Sequence, residues 1–452
     1  MEPALPSRGH ALLFFATVLV LASWHLFSGL NDNVTSRAAM VTALVEQGTL
    51  RIDDWAHIAG DKALVNGHYY SEKAPLPALL VAPFWWALRA SGIADAPVDG
   101  VLDPALVRLG GFLIGSLPFA IIVTLLWYQL RRPLPPQGLS ASIVALSACF
   151  GSFLFVQSGA FFGHLIGGMF LLLALLAFNR NHGIWCGLLS GCAVLCEYTN
   201  AVFPLLWAIL LFSRGGYREF GAFVLGGAPA LLLLAAYNTA IAGTPFMVGY
   251  THQVGYDFMH SAAGMGWPNL THLWHITLSD YRGLLFYAPV LALAIMTTIL
   301  ARIPKWWKDP VLLPALLTIV AMSGFGGWWG GWTYGPRYLS AVAVLLFYRC
   351  LPSLASWRWS TAALPLFACF GMLCTFAAKD TVGFSLPTEF MHPMIQVVLP
   401  AVGTMHAIDQ WPVLLGVPAR WCSVLFLLVF VAAGSALHLA DRRVALDRSK
   451  RA

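Results

Sequence analysis

The sequence predicts an all-α polytopic membrane protein, built as one integral membrane domain over residues 1–452. Three observations carry this reading: hydrophobic residues make up 59% of the chain, charged residues only 10%, and apolar stretches of span length recur from end to end. A soluble globule typically carries about 25% charged residues, so that class is excluded.

The first apolar stretch, His10 to Gly29, has the roughly 20 residues that a helix needs to cross a bilayer. It lacks a small-residue cleavage site and is read as a retained span rather than a removed signal peptide. Further helices are expected near 106–130, 139–157, 163–178, 184–196, 199–212, 220–241, 283–301, 311–327, 337–351, 359–378 and 420–440, about twelve spans in all. Sixteen of the 26 Lys and Arg then fall on the side of the termini, among them Arg131, Arg132, Arg442, Arg443, Arg448, Lys450 and Arg451. Positive charge marks the cytoplasmic side, which sets both termini inside.

One apolar stretch does not fit this alternation. As a full span, Pro75 to Leu88 would invert every later loop, so it is read as an interfacial or re-entrant helix with Trp85, Trp86 and Arg89 at headgroup level. Three loops are then large, 31–105, 243–282 and 379–419, and all face outward. The polar chemistry is expected there, with interfacial helices in the first loop.

Composition excludes other classes. All eight cysteines lie in apolar stretches, so no disulfide framework is expected. The net charge of +6 reflects basic residues at span ends, and a nucleic-acid partner is not expected. The outer-loop histidines have no metal-ligand spacing, so no metal site is assigned.

The first outer loop concentrates charge. Asp32 follows the first span almost at once, where a carboxylate serves as general base towards an acceptor hydroxyl or coordinates a cation. The bland alternative is that Asp32 and Asn33 cap a helix starting near Val34. Arg37 and Lys73, flanked by Asp32 and Glu72, suit a phosphate held at headgroup depth, or else act as ordinary interfacial anchors. Further along, Trp328-Trp329-Gly330-Gly331-Trp332-Thr333-Tyr334-Gly335-Pro336-Arg337 crosses a short outer turn. Its glycines let backbone approach a ligand, Trp332 and Tyr334 stack on sugars or form an aromatic belt, and Arg337 is a third candidate phosphate ligand. Asp280-Tyr281-Arg282-Gly283 brings a further charged pair to this face or forms a structural salt bridge. His164 and Glu197, within or near spans, are polar groups that burial makes costly, so they line a site or bond a neighbouring helix.

Tyr70-Ser71-Glu72-Lys73-Ala74-Pro75 is similar to the Tyr-x-Glu-Lys-Pro-Pro segment of the GT-C superfamily of integral-membrane glycosyltransferases. With the acidic residue after the first span and the many-span layout, the chain resembles bacterial relatives of the protein O-mannosyltransferases and lipid A aminoarabinose transferases. The resemblance implies a GT-C-like bundle of about 12 helices in the bacterial inner (plasma) membrane, with its active site facing the periplasm or exterior. It implies transfer of a sugar from a polyprenyl-phosphate donor to a glycan, lipid or protein acceptor, with inversion at the sugar. Asp32 matches the family's catalytic acid and Lys73 its donor-phosphate lysine, Arg37 being a looser match. Asn33, Tyr70, Glu72, His164, Glu197, Arg282, Trp332 and Tyr334 are expected to line the substrate. Asn33 stands where the family often has Glu, and Ala74 replaces a proline. The acceptor is therefore not inherited, and a divalent cation is left open.

Two rivals remain at this stage. A secondary transporter would place its charged pairs near the bilayer midplane between related halves, whereas here they crowd the outer face. A non-catalytic envelope assembly protein would not need Asp32, Arg37 and Lys73 to converge.

Overall fold

The structure, a computed structural model, describes residues 8–95, 98, 100–131, 139–247 and 249–449. Arg132, Lys450 and Arg451, which entered the charge distribution above, lie outside the described residues.

The chain is 69% helical. In order run α1 (Arg8–Ala22), α2 (Asp32–Thr42), a hairpin of β1 (Lys62–Val65) and β2 (His68–Ser71), α3 (Leu76–Ala90) and α4 (Pro104–Leu130). Next come α5 (Ala141–Phe150), α6 (Phe153–Gln157), α7 (Gly163–Asn179), α8 (Gly183–Cys196) and α9 (Val202–Ala242). The chain finishes with α10 (Leu270–Thr277), α11 (Pro289–Leu300), α12 (Leu312–Ser323), α13 (Ser340–Ser356), α14 (Ser360–Thr381) and α15 (Ala419–Ser449). Among the described residues, five helical segments have the length and apolar composition to cross a membrane, and seven more are shorter and apolar. The chain is a multi-pass helical membrane protein.

Most expected spans are found within a few residues, and the departures have local causes. The first helix ends at Ala22 rather than Gly29. Trp24 Nε1 donates to Gln410 Oε1 at 2.9 Å and Leu26 N to Asp409 O at 2.9 Å, so a distant loop captures these backbone and side-chain groups. The span expected at 139–157 breaks at Gly151-Ser152 into α5 and α6. The two spans expected at 199–212 and 220–241 are continuous in α9 except at Gly216, whose φ of 63° and ψ of −154° are open essentially only to glycine.

Small residues let helices approach closely. A Cβ on Gly187 of α8 would lie 1.9 Å from the Phe223 carbonyl oxygen of α9, so these two helices pack backbone to backbone, as membrane helices with small residues at their interface do. Elsewhere aromatic rings fill the interior. Phe14 stacks on Trp127 at 4.5 Å, and Phe150, Phe155, Phe376, Phe426 and Phe430 interlock between α5, α6, α14 and α15.

The long loops depart most from expectation. The first contains an antiparallel hairpin that an all-helical reading does not include. Asn66 (φ 52°) and Gly67 (φ 82°) occupy its turn, the Asn-Gly pair that two-residue hairpins favour. A bridge between Ala63 and Gln253, with Val254 N donating to Lys62 O, ties this hairpin to the second loop. In α3, Trp86 is exposed but Trp85 turns inward, and Arg89 pairs with Glu46 at 2.7 Å. Trp85 and Arg89, expected at headgroup level, thus have protein contacts of their own.

Candidate active site

The helix start after α1 decides between the two readings of Asp32. Asn31 is the cap: its side-chain oxygen accepts from Val34 N at 3.0 Å, and its carbonyl accepts from Thr35 N at 2.8 Å. Asp32 sits in the first turn with its carboxylate exposed, so the capping role expected of Asp32 and Asn33 belongs to their neighbour. Tyr256, from the second loop, donates its hydroxyl to Asp32 Oδ2 at 3.0 Å. Burial, reinforced by the nearby Asp61 and Asp32 carboxylates, pushes the Tyr256 phenol up, so it stays a donor. Gly60 closes the other side, where a Cβ would lie 2.3 Å from Asp32 Oδ1.

Lys73 lies on the strand-to-helix turn after β2. Its Nζ sits 2.8 Å from Asp61 Oδ2 and 2.8 Å from Glu72 Oε1, and 5.7 Å from the centre of the Tyr250 ring. All three ionic side chains are buried. Burial alone lowers a lysine, but the two carboxylates outweigh it and hold Lys73 well above its usual range. Glu72 is pushed up to about 7 by burial, with Lys73 opposing and Asp61 adding to the rise, and its Oε2 has no hydrogen-bond partner.

Behind Lys73 a second layer is built. Arg37, one turn and a half along α2, donates from Nη2 to Glu197 Oε1 at 2.7 Å, from Nη1 to Ala74 O at 3.0 Å and from Nε to Asn33 Oδ1 at 3.1 Å. Asn33 and Arg37 are thereby turned inward, and Arg37 braces the turn that carries Lys73. His164 Nδ1 approaches the same Glu197 oxygen at 3.6 Å, while its ring packs edge-on against Tyr338.

Arg337 has a different environment. It is buried, its Nη2 reaches only the Tyr338 hydroxyl at 3.4 Å, and it lies 5.3 Å from the Phe162 ring centre. Its Nε has no partner, and among the described residues no carboxylate stands within ion-pair range. A buried cation without a protein counter-ion is costly and favours an anionic ligand.

From Lys73 a cavity of about 400 Å³ runs down between α9 and α12. Tyr250 and Tyr338 frame its polar end, and Leu234, Met259, Met322 and Phe325 line its apolar length. Polar head and hydrocarbon channel are thus continuous.

Other residues expected at the site have separate partners. Arg282 is fully buried and donates to the carbonyls of Trp329 (3.2 Å), Tyr281 (3.0 Å) and Leu386 (3.3 Å). Neither the exposed charged pair nor the salt bridge expected with Asp280 forms; Asp280 pairs instead with His392 at 2.7 Å. Tyr334 is buried against Tyr287, Tyr70 is packed within the hairpin, and Trp332 is half exposed. Asp61, Tyr250, Tyr256 and Tyr338 were not anticipated. Among the described residues, no group of three or more His, Cys, Asp or Glu is arranged to hold a metal ion.

No family model matches the chain, and no curated protein matches it. Over 97% of its length the chain is similar in fold to crystal structures of ArnT from Cupriavidus metallidurans. For the apo state the identity is 13%, the TM-score 0.45 and the coverage of that chain 76%; for the form bound to undecaprenyl phosphate they are 15%, 0.47 and 78%.

Proposed function

We propose that the protein is a glycosyltransferase that moves a sugar from a polyprenyl-phosphate donor to an envelope acceptor at the outer face of the membrane. The observation that carries this reading is the continuity of Lys73 with the apolar channel between α9 and α12. That layout suits a ligand with an anionic head and a long hydrocarbon tail.

The donor phosphate is held by Lys73 and Arg337, with Arg37 acting through the turn it braces. Asp32, free of capping duty and oriented by Tyr256, takes the proton of the acceptor hydroxyl. The acceptor oxygen bonds to the anomeric carbon as that carbon's bond to the phosphate oxygen breaks. The sugar inverts, and the leaving polyprenyl phosphate carries off the electron pair. A positioned base contributes about 10²–10⁴-fold, and preorganised cations stabilise the leaving group's developing charge.

The test is transfer of sugar from a synthetic polyprenyl-phosphate donor by the purified protein in detergent or proteoliposomes. Asp32→Asn is expected to lose about 10²–10⁴-fold in turnover while still binding donor, and Lys73→Ala to lose donor affinity. Wild-type transfer by either variant would exclude the assignment. Substrate accumulation in proteoliposomes without glycosyl transfer would favour a transporter instead.

A further inference from the structure

The mechanism makes no use of a second groove, about 560 Å³ in volume, between α14 and α15. Met372, Phe376, Phe426 and Phe430 form its floor, and exposed Leu373, Leu427 and Val431 form its outer edge, so it opens sideways from the bundle. One end is polar: Asp380, Thr381 and Ser423 line it together with two buried side chains, His25 and Lys379.

Those two side chains are unusual for their depth. Lys379 is fully buried, and its Nζ donates to the Phe155 carbonyl at 2.6 Å and Ser158 Oγ at 2.7 Å. The Phe155 ring centre lies 3.9 Å away, so every close partner is neutral. Among the described residues no carboxylate stands within ion-pair range of it. The adjacent Asp380 is already engaged, accepting from Ser423 Oγ and Gln410 Nε2 and pairing with His406 at 3.1 Å. His25 is also buried, and neither ring nitrogen has a hydrogen-bond partner. An ionisable group at membrane depth normally finds a partner, and a buried polar atom left unsatisfied is costly.

We propose that this groove binds one anionic phospholipid, its phosphate against Lys379 and His25 and one hydrocarbon chain along the phenylalanine floor. A volume within the ~300–1,000 Å³ typical of ligand pockets suits a chain better than a helix, whose diameter is about 10–12 Å. A helix from a second copy would also bring its apolar face and no anion to the buried Lys379 amine. The rings of Phe27, Phe384 and Phe162, stacked edge-on at 5.1 and 5.0 Å, separate this polar end from Arg337. The groove is therefore distinct from the channel at Lys73, and the proposal stands apart from the transferase reading.

The experiment is native mass spectrometry of the full chain in detergent, titrated separately with dioleoyl phosphatidylglycerol and dioleoyl phosphatidylcholine. One phosphatidylglycerol is expected to be retained at least tenfold more tightly than phosphatidylcholine. Leu427→Trp, which fills the exposed edge of the groove, and Lys379→Met are each expected to weaken that binding at least tenfold. Equal retention of the two lipids, or retention unchanged by Leu427→Trp, overturns the proposal. So does a dimer mass that Leu427→Trp abolishes, since a second copy would then be the occupant.

Discussion

Arg37 Nη2 lies 2.7 Å from Glu197 Oε1, both side chains buried, and this pair joins the first turns after α1 to the break between α8 and α9. Removing one member leaves the other charge uncompensated in the interior. Glu197→Ala is expected to cost about 3–5 kcal/mol, read as a lower unfolding midpoint in detergent. The double variant Arg37→Met/Glu197→Leu should recover part of that loss. Strictly additive effects would mean that the two groups do not act as a pair.

Gly60 stands directly against the Asp32 carboxylate. An added Cβ would fall 2.3 Å from Asp32 Oδ1, so Gly60→Ala must displace the carboxylate. Misplacing a catalytic group by about 1 Å can cost roughly 10²-fold. Turnover should fall by about that factor with donor binding little changed. A fall in donor affinity at constant turnover would contradict the role given to Asp32.

Glu72 gives a pH signature. Its folded value, about 7, lies above the ordinary 4.5, so the unfolded chain gives up this proton first as pH rises. The contribution of Glu72 to stability is full below the ordinary value and lost as pH climbs through about 7. Thermal unfolding of wild type and Glu72→Gln, followed from below 4.5 to above about 7, should therefore show wild type losing ground to the variant as pH rises. A constant difference across the range would refute the buried placement.

Arg337 and Arg282 are both buried arginines, yet they should fail differently. Arg337 lacks a carboxylate partner within range, whereas Arg282 is satisfied by backbone carbonyls. Arg337→Gln is expected to weaken donor binding by about 10–100-fold, the worth of a charged hydrogen bond of roughly 1.5–3 kcal/mol. Arg282→Gln should lower the unfolding midpoint and leave donor affinity near wild type. Equal effects on binding would remove the distinction.

The span pattern was legible because apolar runs of helical length need no tertiary information to be recognised. Lys73 and Asp32 were legible for a related reason: charge is scarce, and both stand next to apolar segments. Asp61 and Tyr256 were not, because their value lies in contacts with Lys73 and with a residue 224 positions away, which no local window contains. Arg282 looked like a ligand for the converse reason, since the carbonyls that occupy it come from loops near 329 and 386. The hairpin did leave a signal: Asn66-Gly67 sits between Lys62–Val65 and His68–Ser71, runs with β-forming residues.

The bridge between Ala63 and Gln253 has a consequence for biogenesis. As a ribosome delivers this chain to the membrane, the Asp32 and Lys73 segments emerge early, but the strand-like contact that roofs them waits for residues near 253, and Arg337 comes later still. A nascent chain halted between those points carries its charged groups without their cover. In the transferase proposed above, competence is thus acquired late in synthesis, after most of the bundle has been made.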